Sequence, residues 1–141
     1  MMMMMLQYNF LEYPTPDQIS QITVLYRTAG WWPNPEDDPE LVARMVAGSH
    51  CFMTVNRSDE IIAMGRAISD RASDAYIQDV TVKPEYRRRG IGSTVINKLT
   101  ERLRRDGLAW IGLIAERGSH GFYRPIGFEP MPDSLPMLLK R

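Results

Sequence analysis

The chain has 141 residues, with 17 basic and 17 acidic side chains and a single cysteine. This length is typical of one domain, and we expect residues 1–141 to form a single folding unit. A net charge of zero argues against a general nucleic-acid binder, and one cysteine excludes an internal disulfide framework and is typical of a reducing compartment.

The start of the chain does not resemble a targeting segment. Residues 1–6 are apolar, but they lack the cationic start and the small-residue cleavage site of a signal peptide. No run approaches the roughly 18 apolar residues that span a bilayer. We therefore expect a cytoplasmic protein with no membrane partner, and we expect the methionine-rich residues 1–5 to be disordered.

The first third of the chain predicts a strand followed by two helices. Residues 8–13 alternate between apolar and polar side chains and read as a strand. The Thr-Pro-Asp-Gln sequence at residues 15–18 is a capping box with proline at the first helical position, and it predicts a helix that stops at Gly30. Three prolines make residues 31–39 a loop, and Asp38-Pro39 at its end is predicted to cap a second helix, with Gly48 after it.

The middle of the chain predicts strands and then a long helix. Residues 50–55 and 60–68 read as the two strands of a hairpin, and residues 75–82 as a third strand. Apolar residues then recur at every fourth position from 91 to 103, which indicates an amphipathic helix that Gly107 ends.

The last third predicts short elements only. Residues 108–115 read as a buried strand and residues 119–124 as one or two helical turns, while Phe128 with its neighbours and residues 137–140 read as two final strands. The predicted fold class is α/β (α+β): a mixed, mostly antiparallel central sheet flanked by helices. One parallel strand–helix–strand crossover, which should be right-handed, is expected at residues 75–115.

The junction between the third of these strands and the long helix has the most distinctive sequence. It contains three consecutive arginines and two glycines at the start of a helix, a combination that can hold a phosphate or pyrophosphate. The junction lacks the third glycine of a dinucleotide fingerprint and the Gly-Lys-Ser/Thr of a P-loop. What remains is an Arg-x-x-Gly-x-Gly pattern formed by Arg87, Gly90 and Gly92.

Residues 79–92 closely resemble the acetyl-CoA-binding motif of the GCN5-related N-acetyltransferase (GNAT) family. Residues 121–128 resemble the family's Phe-Tyr-x-x-x-Gly-Phe signature, in the right order and with a helix and a strand between the two motifs. The resemblance covers residues 62–140 well and the first 60 residues only in pattern. It implies an acetyltransferase that moves an acetyl group from acetyl-CoA to a primary amine of a small molecule or peptide, by direct attack in a ternary complex and without a metal.

The resemblance also implies an acetyl-CoA site. The family binds the pyrophosphate on backbone N–H groups at the start of the long helix and the pantetheine arm along the preceding strand, which must splay from its parallel neighbour, often through a bulge. Glycine at positions 90 and 92 allows close backbone approach, because it has no Cβ. The implied residues are Val80, Thr81, Val82, Arg87, Arg88, Arg89, Gly90, Ile91, Gly92 and Ser93.

Acyl transfer requires a proton acceptor for the amine, an N–H donor for the oxyanion and a proton donor for the thiolate. The family's usual proton donor corresponds to Tyr123, and its oxyanion donor to the backbone N–H of Val80 or Thr81. Where the histone-acetylating branch has a glutamate, this chain has Tyr76, so the base stays open. Asp79, acting directly or through water, is the first candidate, and the other residues are Asp70, Asp74, Glu116 and His120. A water chain that serves a partly deprotonated amine is a further alternative.

The loop after the first helix is the candidate acceptor site. Trp31 and Trp32 precede an acidic run and, together with Asp79, could hold an organic cation through cation–π and charge attraction. The alternative interpretation is a rigid loop with one tryptophan in the core and with acids that cap the second helix.

Three functions stay open at this point. The leading one is the N-acetyltransferase. The second is a catalytically silent acyl-CoA-binding or sensing domain, because a fold alone does not establish activity. The third is a nucleic-acid-binding module built on the arginines, against which the zero net charge counts. The resemblance further implies a homodimer, since many members dimerise, although nothing in the sequence specifies an interface.

Overall fold

A computed structural model of the chain describes residues 5–140, so most of the segment expected to be disordered lies outside the described residues. The strands are β1 (Gln7–Phe10), β2 (Cys51–Arg57), β3 (Glu60–Ser69), β4 (Asp74–Val82) and β5 (Trp110–Leu113). The helices are α1 (Pro16–Thr28), α2 (Pro39–Gly48), α3 (Ile91–Arg105) and the single turn α4 (His120–Tyr123). Short 3₁₀ turns follow β4 and α4.

The five strands form one sheet in the order β1-β2-β3-β4-β5. The pairs β1–β2, β2–β3 and β3–β4 are antiparallel, and β5 runs parallel to β4. The helix α3 connects these two parallel strands, so the predicted fold class and the crossover at residues 75–115 are both confirmed.

The sheet lies between two helical layers because each helix has one apolar face to bury. The regularly spaced apolar residues of α3, among them Val95 and Leu99, pack with Ile62 and Ala67 on one face. On the other face, α1 and α2 pack through residues such as Ile22 and Val46 against Phe52 and Met64. The central strands are therefore covered on both sides and act as a rigid support for the loops at their ends.

The helix starts follow the local signals in the sequence. Thr15 accepts a hydrogen bond from the Gln18 N–H at 3.2 Å, and the Gln18 side chain accepts one from the Thr15 N–H at 2.9 Å, which completes the predicted capping box. Asp38 caps α2 by accepting from the Leu41 N–H at 3.1 Å. Both predicted caps are confirmed.

The predicted strands near the two ends of the chain need correction. The first strand is shorter than residues 8–13 and ends at Phe10, and β5 occupies only Trp110–Leu113 of the predicted 108–115. Within residues 128–140 the structure has no strand, so the two predicted final strands are wrong. Prolines at positions 130, 132 and 136 remove backbone donors that strand pairing requires, which gives a physical reason for the last correction.

A bulge in β4 separates the two parallel strands. Arg66 pairs with Gln78 and Met64 pairs with Thr81, so Asp79 and Val80 together stand opposite Gly65. Beyond Ile77, β4 has no pairing with β5 in the described residues. The strands therefore splay, as expected, and the register places the bulge that the sequence could not locate.

Gly65 is required for this arrangement because α3 lies directly over it. A Cβ at this position would lie 2.8 Å from Val95 Cγ1, 3.1 Å from Val80 Cγ2 and 3.2 Å from Leu99 Cδ1. Since these side chains belong to the packed core and cannot easily move, we expect Gly65→Ala to lower the free energy of unfolding by about 1–3 kcal/mol. Urea unfolding followed by circular dichroism measures the loss.

Gly48→Ala provides a matched control for this change. Gly48 is the last residue of α2, and a Cβ there would meet no atom within 4 Å. Alanine favours helix over glycine by up to about 1 kcal/mol, so this variant should be at least as stable as the unaltered protein. Equal urea midpoints for the two variants would show that α3 does not press on Gly65.

Candidate active site

A cavity of about 600 Å³ opens where β4 and β5 separate. One wall is the end of β4, from residue 77 to residue 82, and another is the turn that leads into α3 together with its first residues. The turn after β5 and the residues Phe122 and Tyr123 of α4 complete it, and Trp31 approaches from the loop after α1. The two sequence motifs, which are about 30 residues apart, thus meet at one site.

The first turn of α3 presents to this cavity backbone donors that have no partner within the helix. The helix begins after Gly90 without a side-chain cap, and it has no acidic residue in its first turn. Its first intrahelical bond runs from the Thr94 N–H to the Gly90 carbonyl at 3.1 Å, so the N–H groups of Ile91, Gly92 and Ser93 have no helical partner. Uncapped amides at the positive end of a helix dipole favour an anion.

The backbone before α3 adds to this anion-binding geometry. Arg88 has φ of 65° and Gly90 has φ of 79°, both in the left-handed region, which turns successive N–H groups toward a common side. Glycine suits position 90 for conformational reasons as well. At position 92, a Cβ would lie 3.4 Å from Phe122 Cζ, an ordinary contact, so the chain by itself does not require glycine there.

The side chains of the three consecutive arginines, Arg87, Arg88 and Arg89, have different surroundings. The Nε of Arg87 donates to the Val82 carbonyl at 2.9 Å and ties the turn to the end of β4. Arg88 lines the cavity. The Arg89 guanidinium lies 5.8 Å from the centre of the Tyr86 ring and does not form part of the cavity wall. The cavity is therefore lined by two of the three guanidinium-bearing residues.

The end of β4 offers an open strand edge. Val80 and Val82 direct their side chains into the core beneath α3, so what they offer at the cavity is mainly backbone. Because β5 no longer pairs with β4 beyond Ile77 within the described residues, the β5 side of residues 78–82 is free to accept an extended, amide-bearing ligand.

Tyr123 lies on α4 and faces the same cavity. Its ring packs edge-on against Phe122 at 5.0 Å and against Phe128 at 6.2 Å, which fixes its orientation. Burial, and secondarily the charge of Glu116, raise the pKa of the Tyr123 hydroxyl above its usual value. The phenol is thus neutral at physiological pH and able to donate a proton.

Asp79 lies in the bulge and is held by two donors. Its Oδ2 accepts a hydrogen bond from the Tyr26 hydroxyl at 2.7 Å and another from Arg66 Nε, also at 2.7 Å. Burial, and then the nearby Asp79 carboxylate, raise the pKa of Tyr26 far above its usual value, so its hydroxyl stays neutral and donates. The sequence did not reveal either partner, because Tyr26 fits the apolar face of α1 and Arg66 is a single charge within a strand.

The two tryptophans occupy different positions. Trp32 stacks on Tyr26 with ring centres 4.1 Å apart and planes 7° apart, and it does not line the cavity. Trp31 is tilted against Tyr26 at 6.0 Å and does line it. Of the acidic run, Asp37 pairs with Arg27 at 2.6 Å and Asp38 caps α2. Much of this loop is thus engaged in packing and capping.

The other candidate bases fall into two groups. Glu116 lines the cavity and makes no hydrogen bond or ion pair through its side chain with any residue from 5 to 140. Asp70 accepts three backbone N–H bonds in the turn before β4, which lowers its pKa. Asp70, Asp74 and His120 do not line the cavity. Tyr76 is 42% exposed and packs against Trp110 instead.

Two further observations concern residues 5–140. Across residues 5–140, no three His, Cys, Asp or Glu side chains are grouped so that they could hold a metal ion. The helices in the same span include none with both the length and the apolar character to cross a bilayer.

Comparison with known proteins identifies the motifs. The family model described as the acetyltransferase (GNAT) family matches residues 12–128. GCN5-related N-acetyltransferase 2, chloroplastic, of Arabidopsis thaliana is 38% identical over 76 residues, which are 54% of this chain and 30% of that protein. Serotonin N-acetyltransferase 2, chloroplastic, of Oryza sativa subsp. japonica is 38% identical over 74 residues, or 52% of this chain and 37% of that protein. The chain thus spans about a third of the length of these relatives.

A solved structure supports the fold over nearly the whole chain. A probable acetyltransferase of meticillin-resistant Staphylococcus aureus superposes with a TM-score of 0.80 and 24% identity, covering 97% of this chain and 100% of that one.

Proposed function

Because the chain belongs to the GNAT acetyltransferase family, whose model matches residues 12–128, we propose that it is an N-acetyltransferase. In this proposal it moves an acetyl group from acetyl-CoA to a primary amine of a small molecule or peptide, by direct attack in a ternary complex. The observation that supports it most is the convergence of the uncapped α3 N-terminus, the open edge of β4 and Tyr123 on one cavity.

The acetyl-CoA site follows from these elements. Backbone N–H groups from residue 88 to Ser93 would hold the pyrophosphate, with Arg87 and Arg88 supplying positive charge at the turn. Arg89 would act at longer range, because its guanidinium lies against Tyr86. The free edge of β4 at Val80, Thr81 and Val82 would pair with the amides of the pantetheine arm.

Tyr123 would donate a proton to the departing thiolate sulfur. The raised pKa of its hydroxyl keeps the proton in place until sulfur develops negative charge. The backbone N–H of Val80 or Thr81 would stabilise the oxyanion that forms at the attacked carbonyl.

The proton acceptor for the amine would be a carboxylate of the cavity wall. Asp79, the first candidate from the sequence, has one oxygen occupied by two donors, so that only Oδ1 is open to an incoming amine or water. Glu116 makes no side-chain bond within residues 5–140 and lines the same cavity as Tyr123. We therefore place Glu116 ahead of Asp79 for this role.

The pH dependence of turnover separates the two carboxylates. If Glu116 accepts the proton, Glu116→Gln should lower kcat and abolish the acid limb of the pH–rate profile, while Asp79→Asn should keep that limb. Stopped assays of thiol release between pH 5 and pH 9 (roughly two units either side of neutral) would measure both profiles. An acid limb that disappears only in Asp79→Asn would assign the proton to Asp79 instead.

The acceptor class that we propose is a small cationic amine, or an N-terminal amine of a peptide. Trp31, Asp79 and Glu116 line the cavity, which combines an aromatic face with carboxylates. One relative is named a serotonin N-acetyltransferase, and serotonin is a small amine attached to an aromatic ring. Arylalkylamines are therefore a class of acceptor to test. Trp32 would support this site indirectly, through its stacking on Tyr26.

We also propose a homodimer and a cytoplasmic location. The dimer is supported by the position of β5 at the edge of the sheet, where it has no second neighbouring strand among residues 5–140, and by apolar side chains in the C-terminal segment, where Leu138 is 93% exposed. A second copy would cover such a surface.

An amine-panel assay tests the proposed function. The protein is incubated with acetyl-CoA and with polyamines, amino acids, aminoglycosides, arylalkylamines or peptide N-termini, and the release of free thiol is followed. Thiol release that depends on one class of amine is the expected result. Calorimetric binding of acetyl-CoA without release for any amine would contradict the enzyme and favour a sensing domain, and absence of binding would contradict both.

A further inference from the structure

The bulge of β4 contains a backbone conformation that requires support. Asp79 has φ of 57°, in the left-handed region that residues with a Cβ seldom adopt. Such a conformation costs on the order of 1 kcal/mol or more, and it persists only where surrounding contacts hold it. The next two residues, Val80 and Thr81, line the cavity, so whatever holds Asp79 also determines where their backbone lies.

Two side chains hold this residue, and they come from different elements. The Tyr26 hydroxyl on α1 and the Arg66 Nε on β3 both donate to Asp79 Oδ2 at 2.7 Å. The Asp79 and Arg66 side chains are only 22% and 16% exposed, so these bonds are partly shielded from water. Arg66 also donates from Nη1 to Ser49 Oγ at 3.4 Å, which connects the cluster to the end of α2.

Tyr26 is itself held in place. Its side chain is almost completely buried, and Trp32 stacks on its ring with planes 7° apart, while Trp31 packs against it at a tilt. The hydroxyl therefore meets Asp79 from a fixed direction, and little conformational freedom is lost when the bond forms.

We propose that Tyr26 and Arg66 are positioning residues of the acyl-transfer site, which act by holding Asp79 and with it the β4 bulge. This inference rests on the proposed function, because it concerns the strand edge that would receive the pantetheine arm and the N–H that would face the oxyanion. It assigns Asp79 a structural task, since an incoming proton on Oδ2 would displace one of its two donors. Neither Tyr26 nor Arg66 touches the substrate in this proposal.

The test uses Tyr26→Phe, which removes the hydroxyl and keeps the stacked ring. We expect amide hydrogen exchange in residues 79–82 to become about tenfold faster, the effect of losing one hydrogen bond to a charged group. Acetyl-CoA affinity measured by calorimetry should fall by about the same factor. Tyr13→Phe is the matched control, because the Tyr13 side chain is 87% exposed and lies outside the cavity wall.

A second variant, Arg66→Gln, tests whether the effect of Tyr26→Phe arises from the lost bond to Asp79 or from a local change in α1. It removes the other donor and should accelerate exchange in the same four residues. In both variants kcat should fall while the acid limb of the pH–rate profile keeps its position. If Asp79 were the proton acceptor, the loss of one of its two hydrogen-bond donors would move that limb.

Two outcomes would overturn the inference. One is unchanged exchange at residues 79–82 together with unchanged acetyl-CoA affinity in both variants. The other is an Asp79→Asn variant that exchanges like the unaltered protein but loses the acid limb, since Asp79 would then be the proton acceptor. Hydrogen exchange and calorimetry can be measured without turnover. If the protein acetylated no amine, the proposed enzymatic function would be refuted, but the effect of Tyr26 on the bulge and on acetyl-CoA binding could still be measured.

Discussion

Replacing Tyr123 with phenylalanine should lower the turnover number of acetyl transfer by about 100-fold or more, the range expected when a general acid is lost. Acetyl-CoA affinity should change little, because the ring and its packing against Phe122 and Phe128 are retained. The reason is chemical: besides Tyr123, the residues that line the cavity include one other tyrosine, Tyr86, and its hydroxyl donates to Glu60 at 3.0 Å.

Steady-state kinetics at saturating amine, with calorimetry of acetyl-CoA on the same samples, would measure this separation of turnover from binding. Tyr8→Phe is a suitable control, since it makes the same chemical change in β1, away from the cavity wall. Equal turnover in Tyr123→Phe and the unaltered protein would remove Tyr123 from the mechanism. Because burial and, secondarily, the charge of Glu116 raise the pKa of Tyr123, any loss of activity through its ionisation should occur only above the pH range in which an ordinary tyrosine ionises.

Replacing Ser93 with aspartate should weaken acetyl-CoA binding by about 100-fold, because a carboxylate near a pyrophosphate costs a few kcal/mol at an effective dielectric constant of about 20. Ser93 lies in the first turn of α3 and lines the cavity. The same substitution should leave the free energy of unfolding unchanged or raise it by about 0.3–1 kcal/mol, since an acid near a helix N-terminus interacts favourably with the helix dipole.

Ser93→Asn is the control that separates the effect of the added charge from the effect of the larger side chain, because asparagine has nearly the shape of aspartate and no charge. We expect its acetyl-CoA affinity to lie close to that of the unaltered protein, with calorimetry as the measurement and urea unfolding as the check on stability. If aspartate and asparagine weakened binding equally, the anion would have to bind elsewhere than at the α3 N-terminus. A Ser93→Asp variant that is more stable than the unaltered protein but binds acetyl-CoA more weakly would strongly support the proposed pyrophosphate site.

Much of the fold could be predicted because its signals are local. The capping box at Thr15, the cap at Asp38 and the apolar period of α3 all involve residues within a few positions of one another, and all three are found in the structure. The prediction of two strands within residues 128–140 was wrong because strand formation depends on more than local sequence. Short apolar runs resemble strands, but pairing also needs a neighbouring edge and backbone donors, and the prolines remove some of those donors.

The candidate site divides in the same way. The motif residues that form the α3 N-terminus and Tyr123 were named from the sequence and line one cavity, whereas Arg89 and Trp32 lie outside its wall. The interactions of Asp79 could not be predicted, since its partners are 53 and 13 positions away and meet it only through the packing of α1 on the sheet and the pairing of β3 with β4.

By itself, the sequence determined the order of the main elements, the family motifs and the chemical character of the α3 N-terminus, because each depends on neighbouring residues and their periodicity. Only the tertiary structure decided where β4 bulges, what Asp79 contacts and which residues face the cavity. These features depend on strand register and on the angle at which helices pack, and both result from many weak contacts between distant segments that no local pattern records.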